Sequence, residues 1–197
     1  MQSGATMSPI LAVDVQYRGD DFAVAAGGMF RDWAAERFDA VRMLRVDTVA
    51  PYRPGAFFER ELPCILALLA DFGERPGLIV IDGFVRLGAE GRDGLGAHLF
   101  HALCGTIPVI GVAKTAFRDT PAETAVWRGN SERPLHVTAI GIAENEARRL
   151  VASMHGAHRM PTLLKAVDRA CRDAMAGALH GNGESNKADE KCNHECG

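Results

Sequence analysis

Two aspartates lie in apolar segments that give a carboxylate little access to water. Asp14 interrupts the run ILAVDVQY at residues 10–17, and Asp82 follows the run LIVI and precedes Gly83. Desolvating a carboxylate is costly unless it meets a cation or hydrogen-bond donors. Each aspartate alone could be an ordinary hydrogen-bonded residue of a turn or strand end. Because both occupy corresponding positions of buried strands, we interpret them together as ligands of a divalent ion.

A third carboxylate is available in the helix predicted between these two strands. Glu59 and Glu61 both lie near its start, and the pattern alone does not choose between them. Carboxylates, water and phosphate oxygens are the ligands that Mg²⁺ and Mn²⁺ prefer. Zinc is disfavoured, because it more often takes His or Cys and neither stands near Asp14 or Asp82 in the sequence.

Hydrophobic patterning predicts the elements that position these acids. Three strands joined by short links, over residues 10–17, 22–30 and 41–49, form an antiparallel meander in which Gly27-Gly28 suggests a bulge. Alternating strands and helices follow, and Pro63 predicts a kink or a late start in the first helix. The further strands are predicted at 78–81, 108–113 and 135–142, and the helices at 54–72, 95–104, 144–155 and 162–179. The fold class is therefore α/β, a mixed sheet with helices on both faces.

Composition divides the chain into a body and a tail. We expect a flexible N-terminus at 1–9, one domain over 10–179 and a disordered polar tail over 180–197. The tail holds −2 of the formal net charge of −3. A near-neutral body argues against a basic nucleic-acid coat protein but not against a nuclease with metal-binding carboxylates. The odd number of cysteines, five, favours reduced thiols in the cytoplasm, and no apolar run predicts a signal peptide or a membrane span.

Seven short segments stand out when they are taken in order along the chain. They are AVDVQY (12–17), PYRPG (51–55), RELP (60–63), IDG (81–83), GLGAHL (94–99), IPVIGVAK (107–114) and HRMP (158–161). Together they resemble the endonuclease V family, whose members cleave nucleic acid near deaminated bases such as inosine. The resemblance covers about residues 10–170 and implies a ribonuclease-H-like fold with three antiparallel strands followed by parallel strands.

The resemblance assigns catalytic roles to individual residues. Asp14, Glu61 and Asp82 correspond to the metal ligands of the family, and Glu61 is chosen because it stands two residues before Pro63. The implied cofactor is Mg²⁺ or Mn²⁺, which activates water against a phosphodiester one bond beyond the bond 3′ to the lesion. Lys114 corresponds to an active-site lysine that meets a phosphate or polarises the water.

The segment PYRP at residues 51–54 resembles the family's Pro-Tyr-x-Pro wedge loop. Two prolines stiffen such a loop, and a tyrosine ring can fill the gap that a flipped base leaves in the stack. The alternative is a proline-rich connector with a packing tyrosine. The substrate-binding residues that the resemblance implies are Pro51, Tyr52, Arg53, Pro54, Gly55 and Gly83.

Two segments depart from the family pattern. The residues after Gly83 usually read Gly-x-x-His-Pro-Arg, whereas here they read FVRLGAEGR, and residues 135–142 lack the family's Gly-His pair. The metal ligands are intact, but their surroundings are altered. This leaves two alternatives to an inosine-directed endonuclease. They are a catalytically weakened nucleic-acid-binding protein and a ribonuclease-H-like nuclease with another substrate.

Further residues are candidates for contact with nucleic acid. The polar loop 127–134 could stack a base through Trp127 or be an ordinary surface loop, while we expect His98 to pack under the site. We expect a monomeric, cytoplasmic DNA-repair enzyme that binds DNA or RNA and no membrane. The basic residues that could contact phosphates are Arg53, Lys114, Arg128, Arg133, Arg148, Arg149, Arg159 and Lys165.

Overall fold

The structure is a computed structural model that describes residues 8–51, 53 and 55–181, the last four by their backbone alone. Tyr52, Pro54, most of the predicted N-terminal segment and most of the predicted tail lie outside the described residues. The last described helix ends at Gly181, two residues into the segment predicted as the tail. Among the described residues, no helix combines the length and hydrophobicity that a membrane span requires.

Seven strands of the described chain form one mixed sheet in the order β3-β2-β1-β4-β7-β9-β8, and β5 and β6 form a separate hairpin. The α/β fold class predicted from the sequence is confirmed. The strands are β1 (Ile10–Arg18), β2 (Phe22–Phe30), β3 (Ala40–Val46), β4 (Leu78–Asp82), β5 (Arg86–Leu87), β6 (Arg92–Asp93), β7 (Val109–Ala113), β8 (Ala125–Val126) and β9 (Leu135–Ile140). The α-helices are α1 (Phe58–Asp71), α2 (Leu95–Ala102), α3 (Glu144–Ser153) and α4 (Thr162–Gly181).

The antiparallel meander of β1, β2 and β3 is confirmed, but the predicted bulge at Gly27-Gly28 is wrong. The β1–β2 register runs unbroken from the pair Ile10–Phe30 to the pair Arg18–Phe22. The glycines instead make room for rings on opposite faces of the sheet. A Cβ on Gly27 would lie 2.9 Å from Phe72, and one on Gly28 would lie 2.4 Å from Phe38.

The central strands β1, β4 and β7 run parallel, so their carboxyl ends meet at one edge. Helices α1 and α2 lie in the connections and pack on one face, while α3 and α4 pack on the other. The strand β9 pairs antiparallel with β7 because only a short 3₁₀ turn and β8 lie between them, and no helix carries the chain back across the sheet.

The first helix begins at Phe58 and continues through Pro63 to Asp71. The predicted late start at Pro63 is therefore wrong. The missing N–H of a proline is cheapest in the first turn of a helix, and Pro63 lies beyond that turn, so packing of the apolar side of α1 must offset the lost hydrogen bond. The buried side chains on that side include Cys64, Ile65 and Leu68.

Candidate active site

Two of the predicted acids lie side by side at the carboxyl edge of the parallel strands. The register pairs Val13 of β1 with Ile81 of β4, which places Asp14 and Asp82 at the same level. Asp14 is only 7% exposed, whereas the side chain of Asp82 is 38% exposed. Parallel pairing therefore brings together two carboxylates that the sequence separates by the whole of α1 and two strands.

Glu61 reaches the same site from the first turn of α1. Burial raises the pKa of Glu61 to about 8, and the charges of Asp14 and Asp82 add to that shift. The pKa of Asp14 is likewise raised, chiefly by burial and despite a hydrogen bond from Gln16. The charges of Asp14 and Asp82 thus act on Glu61, and that of Asp82 acts on Asp14, which indicates that the three acids lie near one another.

The buried residue Arg60 fixes the start of α1 to the β1–β2 turn. Its Nη1 donates to Asp20 Oδ1 at 2.9 Å and its Nη2 to the carbonyl of Gly19 at 2.5 Å. Its guanidinium also lies 4.6 Å from the centre of the Tyr17 ring. Since Glu61 follows directly in the helix, these contacts hold the Glu61 backbone in place beside β1.

Lys114 completes the predicted set at the end of β7. Its Nζ donates to Asp82 Oδ2 at 2.6 Å. Burial lowers the pKa of Lys114, but the hydrogen bond and charge of Asp82 outweigh it, so the net shift is upward. The Arg159 guanidinium donates to the Lys114 carbonyl, which links the HRMP segment to this strand end.

A fourth carboxylate, Asp168 of α4, was missed by the sequence reasoning. It lines a small cavity together with Asp14 and Asp82, and its charge raises the pKa of Asp14. Its side chain is 19% exposed and pairs with Arg172. In the sequence this looks like an ordinary i, i+4 ion pair on an amphipathic helix, so no local signal marks the residue.

Within the described residues, no group of three or more His, Cys, Asp or Glu side chains is placed so that it could hold a metal ion, but the chemistry of these acids is that of a divalent-cation site. Asp14 accepts a hydrogen bond from Gln16 Nε2 at 3.1 Å, and Asp82 accepts one from Lys114. Buried carboxylates that raise one another's pKa need a cation to stay charged together. Oxygen ligands of this kind are those that Mg²⁺ and Mn²⁺ prefer.

An open cavity of about 330 Å³ adjoins Glu61 and Asp82. Gly55 and Gly83 line it, with φ values of +80° and +140°, and no atom lies within 4 Å of the place where a Cβ would stand on either. Four phenylalanines supply apolar walls, and they are Phe57, Phe58, Phe84 and Phe117.

The described residues of the predicted wedge, Pro51 and Arg53, are exposed, and Arg53 Nη1 donates to Glu59 Oε2 at 3.0 Å. Tyr52 and Pro54 lie outside the described residues, so the wedge stays a prediction. Glu59 is thus engaged with Arg53, whereas Glu61 faces the other acids. This difference agrees with the choice of Glu61 as the third carboxylate.

The chain after Asp82 crosses closely over β7. A Cβ on Gly111 would lie 2.5 Å from the Gly83 carbonyl, so only glycine allows this approach. The buried Thr138 of β9 accepts a hydrogen bond at its Oγ1 from the Val85 N–H at 2.8 Å. These contacts position Gly83 beside the acids, although FVRLGAEGR departs from the family pattern.

The histidines near the site pack against neighbours. His98 stacks on Phe58, with ring centres 3.6 Å apart and planes at 11°, which confirms its predicted packing role. His136 Nδ1 lies 3.1 Å from Thr124 Oγ1. Burial and the nearby Arg159 lower the pKa of His136, which favours the neutral ring.

One predicted phosphate contact is wrong. Arg128 is only 7% exposed, and its guanidinium donates to five backbone carbonyls, one in the last turn of α3 and four between α3 and α4. It therefore organises that loop instead of facing solvent. Arg148 and Arg149 pair with Glu144 and Glu146 along α3, while Trp127 is 62% exposed.

Comparison with known sequences identifies the same family that the seven segments resemble. The model of the Endonuclease V family matches residues 2–173. Endonuclease V of Streptomyces coelicolor is 30% identical over 195 residues, which cover 87% of this chain and 81% of that relative. Endonuclease V of Azotobacter vinelandii is 33% identical over 121 residues, which cover 61% of this chain and 53% of that relative.

Solved structures show the same fold. The crystal structure of Streptomyces avermitilis endonuclease V is 28% identical, with a TM-score of 0.69 over 88% of this chain and 84% of that one. Ciona intestinalis endonuclease V, solved with a 24mer DNA containing an inosine followed by a ribo-adenosine, is 20% identical with a TM-score of 0.71 over 89% of each chain. With the family model matching most of its length, this chain belongs to the Endonuclease V family.

Proposed function

We propose that the protein is a metal-dependent endonuclease that hydrolyses a phosphodiester 3′ to a deaminated base, inosine, in DNA or RNA. The observation that carries this proposal is the meeting of Asp14, Glu61 and Asp82, with Lys114, beside an open cavity. Membership of the Endonuclease V family supports the reaction class. The inosine-containing DNA bound by the Ciona intestinalis relative supports the substrate class.

The metal that we propose is Mg²⁺ or Mn²⁺, held by Asp14, Glu61 and Asp82. When bound, such an ion lowers the pKa of a water and stabilises the charge on the leaving oxygen. Glu61 and Asp14 are buried, so they offer charge in a poorly solvated place where it acts strongly on a cation. Lys114 orients Asp82 and presents an ammonium group to an incoming phosphate.

The cavity beside Glu61 is the proposed site of the flipped base. Its volume of about 330 Å³ and its phenylalanine walls suit a planar aromatic ring. Gly55 and Gly83 let backbone groups approach the edge of that ring, where hydrogen bonds distinguish one base from another. The segment PYRPG adjoins the cavity through Gly55, as a wedge that replaces the extruded base would require.

The decisive experiment is cleavage of matched inosine-containing DNA and RNA oligonucleotides with Mg²⁺ or Mn²⁺. We expect the wild type to nick near inosine and D82N to cleave at least about a hundredfold more slowly. The reason is that residue 82, a proposed metal ligand and the partner of Lys114, loses its charge. E59Q is the matched control, since Glu59 pairs with Arg53 outside the carboxylate cluster. Folded wild-type protein that nicks none of these substrates with either metal would refute the proposal.

A catalytically weakened nucleic-acid-binding protein is the second candidate. Two observations favour it. No group of three or more His, Cys, Asp or Glu side chains in the described residues is placed to hold a metal ion, and the sequence lacks the family's Gly-His pair. Tight binding of inosine oligonucleotides without cleavage on long incubation would select it. Cleavage of branched or other structured substrates in preference to inosine would select a ribonuclease-H-like nuclease with another substrate.

The cellular setting that we propose is nucleic-acid repair by a monomer in the cytoplasm. The three cysteines among the described residues, Cys64, Cys104 and Cys171, are free thiols. Exposed Cys104 is compatible with a reducing compartment. Sedimentation of the purified protein tests the monomer, and fractionation of cells tests the compartment.

A further inference from the structure

A second cavity, of about 410 Å³, adjoins the cavity beside Glu61 and Asp82. The two cavities share Leu87 and Phe117 in their walls. The outer walls of the second cavity are residues 88–90, in the turn of the β5–β6 hairpin, and the loop 117–119. We call this second cavity the hairpin groove. Part of its wall comes from the segment FVRLGAEGR, which departs from the family pattern and whose Phe84 also lines the cavity beside Glu61.

The exposed ring of Phe117 is held in place by its backbone. The N–H and Oγ1 of Thr120 donate to the Phe117 carbonyl at 3.1 and 2.7 Å, which closes a tight turn. Within this turn Asp119 has φ +56°, a conformation that Asp tolerates better than most residues. The Phe117 side chain is nevertheless 39% exposed. A firmly held turn therefore presents an aromatic face to solvent.

The facing wall is equally well fixed. Gly88 has φ +65°, and a Cβ there would lie 3.2 Å from the Arg118 carbonyl, so the hairpin turn touches the loop that carries Phe117. Arg86 and Asp93 form an ion pair across the two strands of the hairpin. The groove is thus preformed between two ordered segments.

The groove combines the groups that bind a nucleotide. Phe117 offers a face for stacking, and Leu87 continues the apolar wall. The Arg92 guanidinium lies 5.9 Å from the centre of the Phe117 ring and makes no ion pair within the described part of the chain. It is placed to meet a phosphate beside a base stacked on that ring.

We propose that the hairpin groove binds the nucleotide adjacent to the flipped base on the same strand, with its base on Phe117 and its phosphate against Arg92. This inference rests on the proposed function, since the neighbouring cavity must hold the flipped base. The two cavities share a wall, so a strand with one base in the first must pass the second. Continuity thus favours a nucleotide as the occupant. The charges of the lining balance, with Arg92 and Arg118 against Glu90 and Asp119, so Arg92 beside the Phe117 ring is the local contact for the phosphate.

The test couples a protein variant to an abasic scan of the substrate. Single-stranded inosine oligonucleotides carry one abasic nucleotide at each of the two positions on either side of inosine. For F117A we expect the half-saturating enzyme concentration in single-turnover cleavage to rise about tenfold. A change of this size lies within the range for one base–aromatic stack. F117W should retain wild-type binding. At one flanking position, the abasic nucleotide should raise the half-saturating concentration of wild type about tenfold. The same nucleotide should leave the half-saturating concentration of F117A unchanged.

The control is M43A, because Met43 is 53% exposed on β3 and lies outside the groove. Thermal unfolding of each variant excludes a general loss of structure. The groove proposal is refuted if F117A has the half-saturating concentration of wild type on the intact oligonucleotide. It is also refuted if every abasic position raises the half-saturating concentration of F117A as much as that of wild type. If wild type does not cleave at all, the proposed function fails instead, and fluorescence anisotropy of the same oligonucleotides with Ca²⁺ tests the groove independently.

Discussion

The buried carboxylate of Glu61 lowers the stability of the folded protein when it is charged and no cation is bound beside it. It is 9% exposed among other acids, and burial with those charges raises its pKa from the ordinary 4.5 to about 8. The folded state therefore holds this proton more tightly than the unfolded chain. The contribution of Glu61 to the free energy of unfolding is fully present below pH 4.5 and is lost as the pH rises toward 8.

We therefore expect E61Q to unfold at a higher temperature than wild type in EDTA at pH 8, by about 5 °C, because glutamine carries no charge to desolvate. The gap should close at pH 5, and Mg²⁺ at pH 8 should raise the midpoint of wild type more than that of E61Q. Scanning calorimetry at both pH values measures this, with E59Q as the exposed control. A less stable E61Q in EDTA at pH 8 would contradict the assignment.

The sequence predicts the site where a residue is anomalous in its own segment. Asp14 and Asp82 could be found because a carboxylate inside or directly after an apolar strand is costly to desolvate, whereas Lys114 was assigned only through the family resemblance. Asp168 could not, because an acid four residues before an arginine is ordinary on a helix. The prediction for Arg128 is wrong because nothing in the polar loop 127–134 indicates that its guanidinium is buried and donates to five backbone carbonyls.

At the scale of elements, long segments with clear periodicity were predictable and short ones were not. The bounds of β2 match the predicted 22–30, because an unbroken apolar run there must be covered on both faces. The two-residue strands β5, β6 and β8 were missed, since a pair of residues carries no periodicity. The β5–β6 hairpin depends on turn glycines and on tertiary contacts, such as that of Gly88 with the Arg118 carbonyl.

The Gly27-Gly28 pair shows how a sequence signal can be real and its interpretation wrong. A Cβ on Gly28 would lie 2.4 Å from the ring of Phe38, which packs in turn against Phe30. We expect G28A to lower the free energy of unfolding by about 1–3 kcal/mol, because the ring must move or the strand must shift. Chemical denaturation measures this cost.

The matched control for that substitution is G177A. Gly177 lies in α4 with no atom within 4 Å of a Cβ, so alanine should leave stability unchanged or raise it by up to about 1 kcal/mol. A G28A protein as stable as wild type would show that Phe38 yields freely and that the glycine is not required for packing.

At the scale of the whole molecule, the net charge of −3 is less hostile to nucleic acid than it looks. Residues 180–197 account for −2 of it. Asp14, Glu61 and Asp82 face the proposed cation, which would offset much of their charge. Many remaining arginines are already engaged, as Arg128 is with carbonyls and Arg149 with Glu146. The groups left to meet phosphates are therefore few, with Lys114 and Arg92 nearest the two cavities.

A protein with few phosphate contacts should bind with a shallow salt dependence. We expect the logarithm of the association constant for an inosine oligonucleotide to fall against the logarithm of salt concentration with a slope no steeper than about −3, since each neutralised phosphate of a single strand contributes about −0.7. A chain ending at Gly181 loses all four acidic residues and both lysines of the tail, a net charge of −2, and should bind more tightly at low salt only. That difference should vanish above about 0.3 M salt, where charges a few ångströms apart are already screened. Fluorescence anisotropy over a salt series measures both, and a slope steeper than about −5 would mean that this fold binds the strand over a much longer basic surface than Lys114 and Arg92 provide.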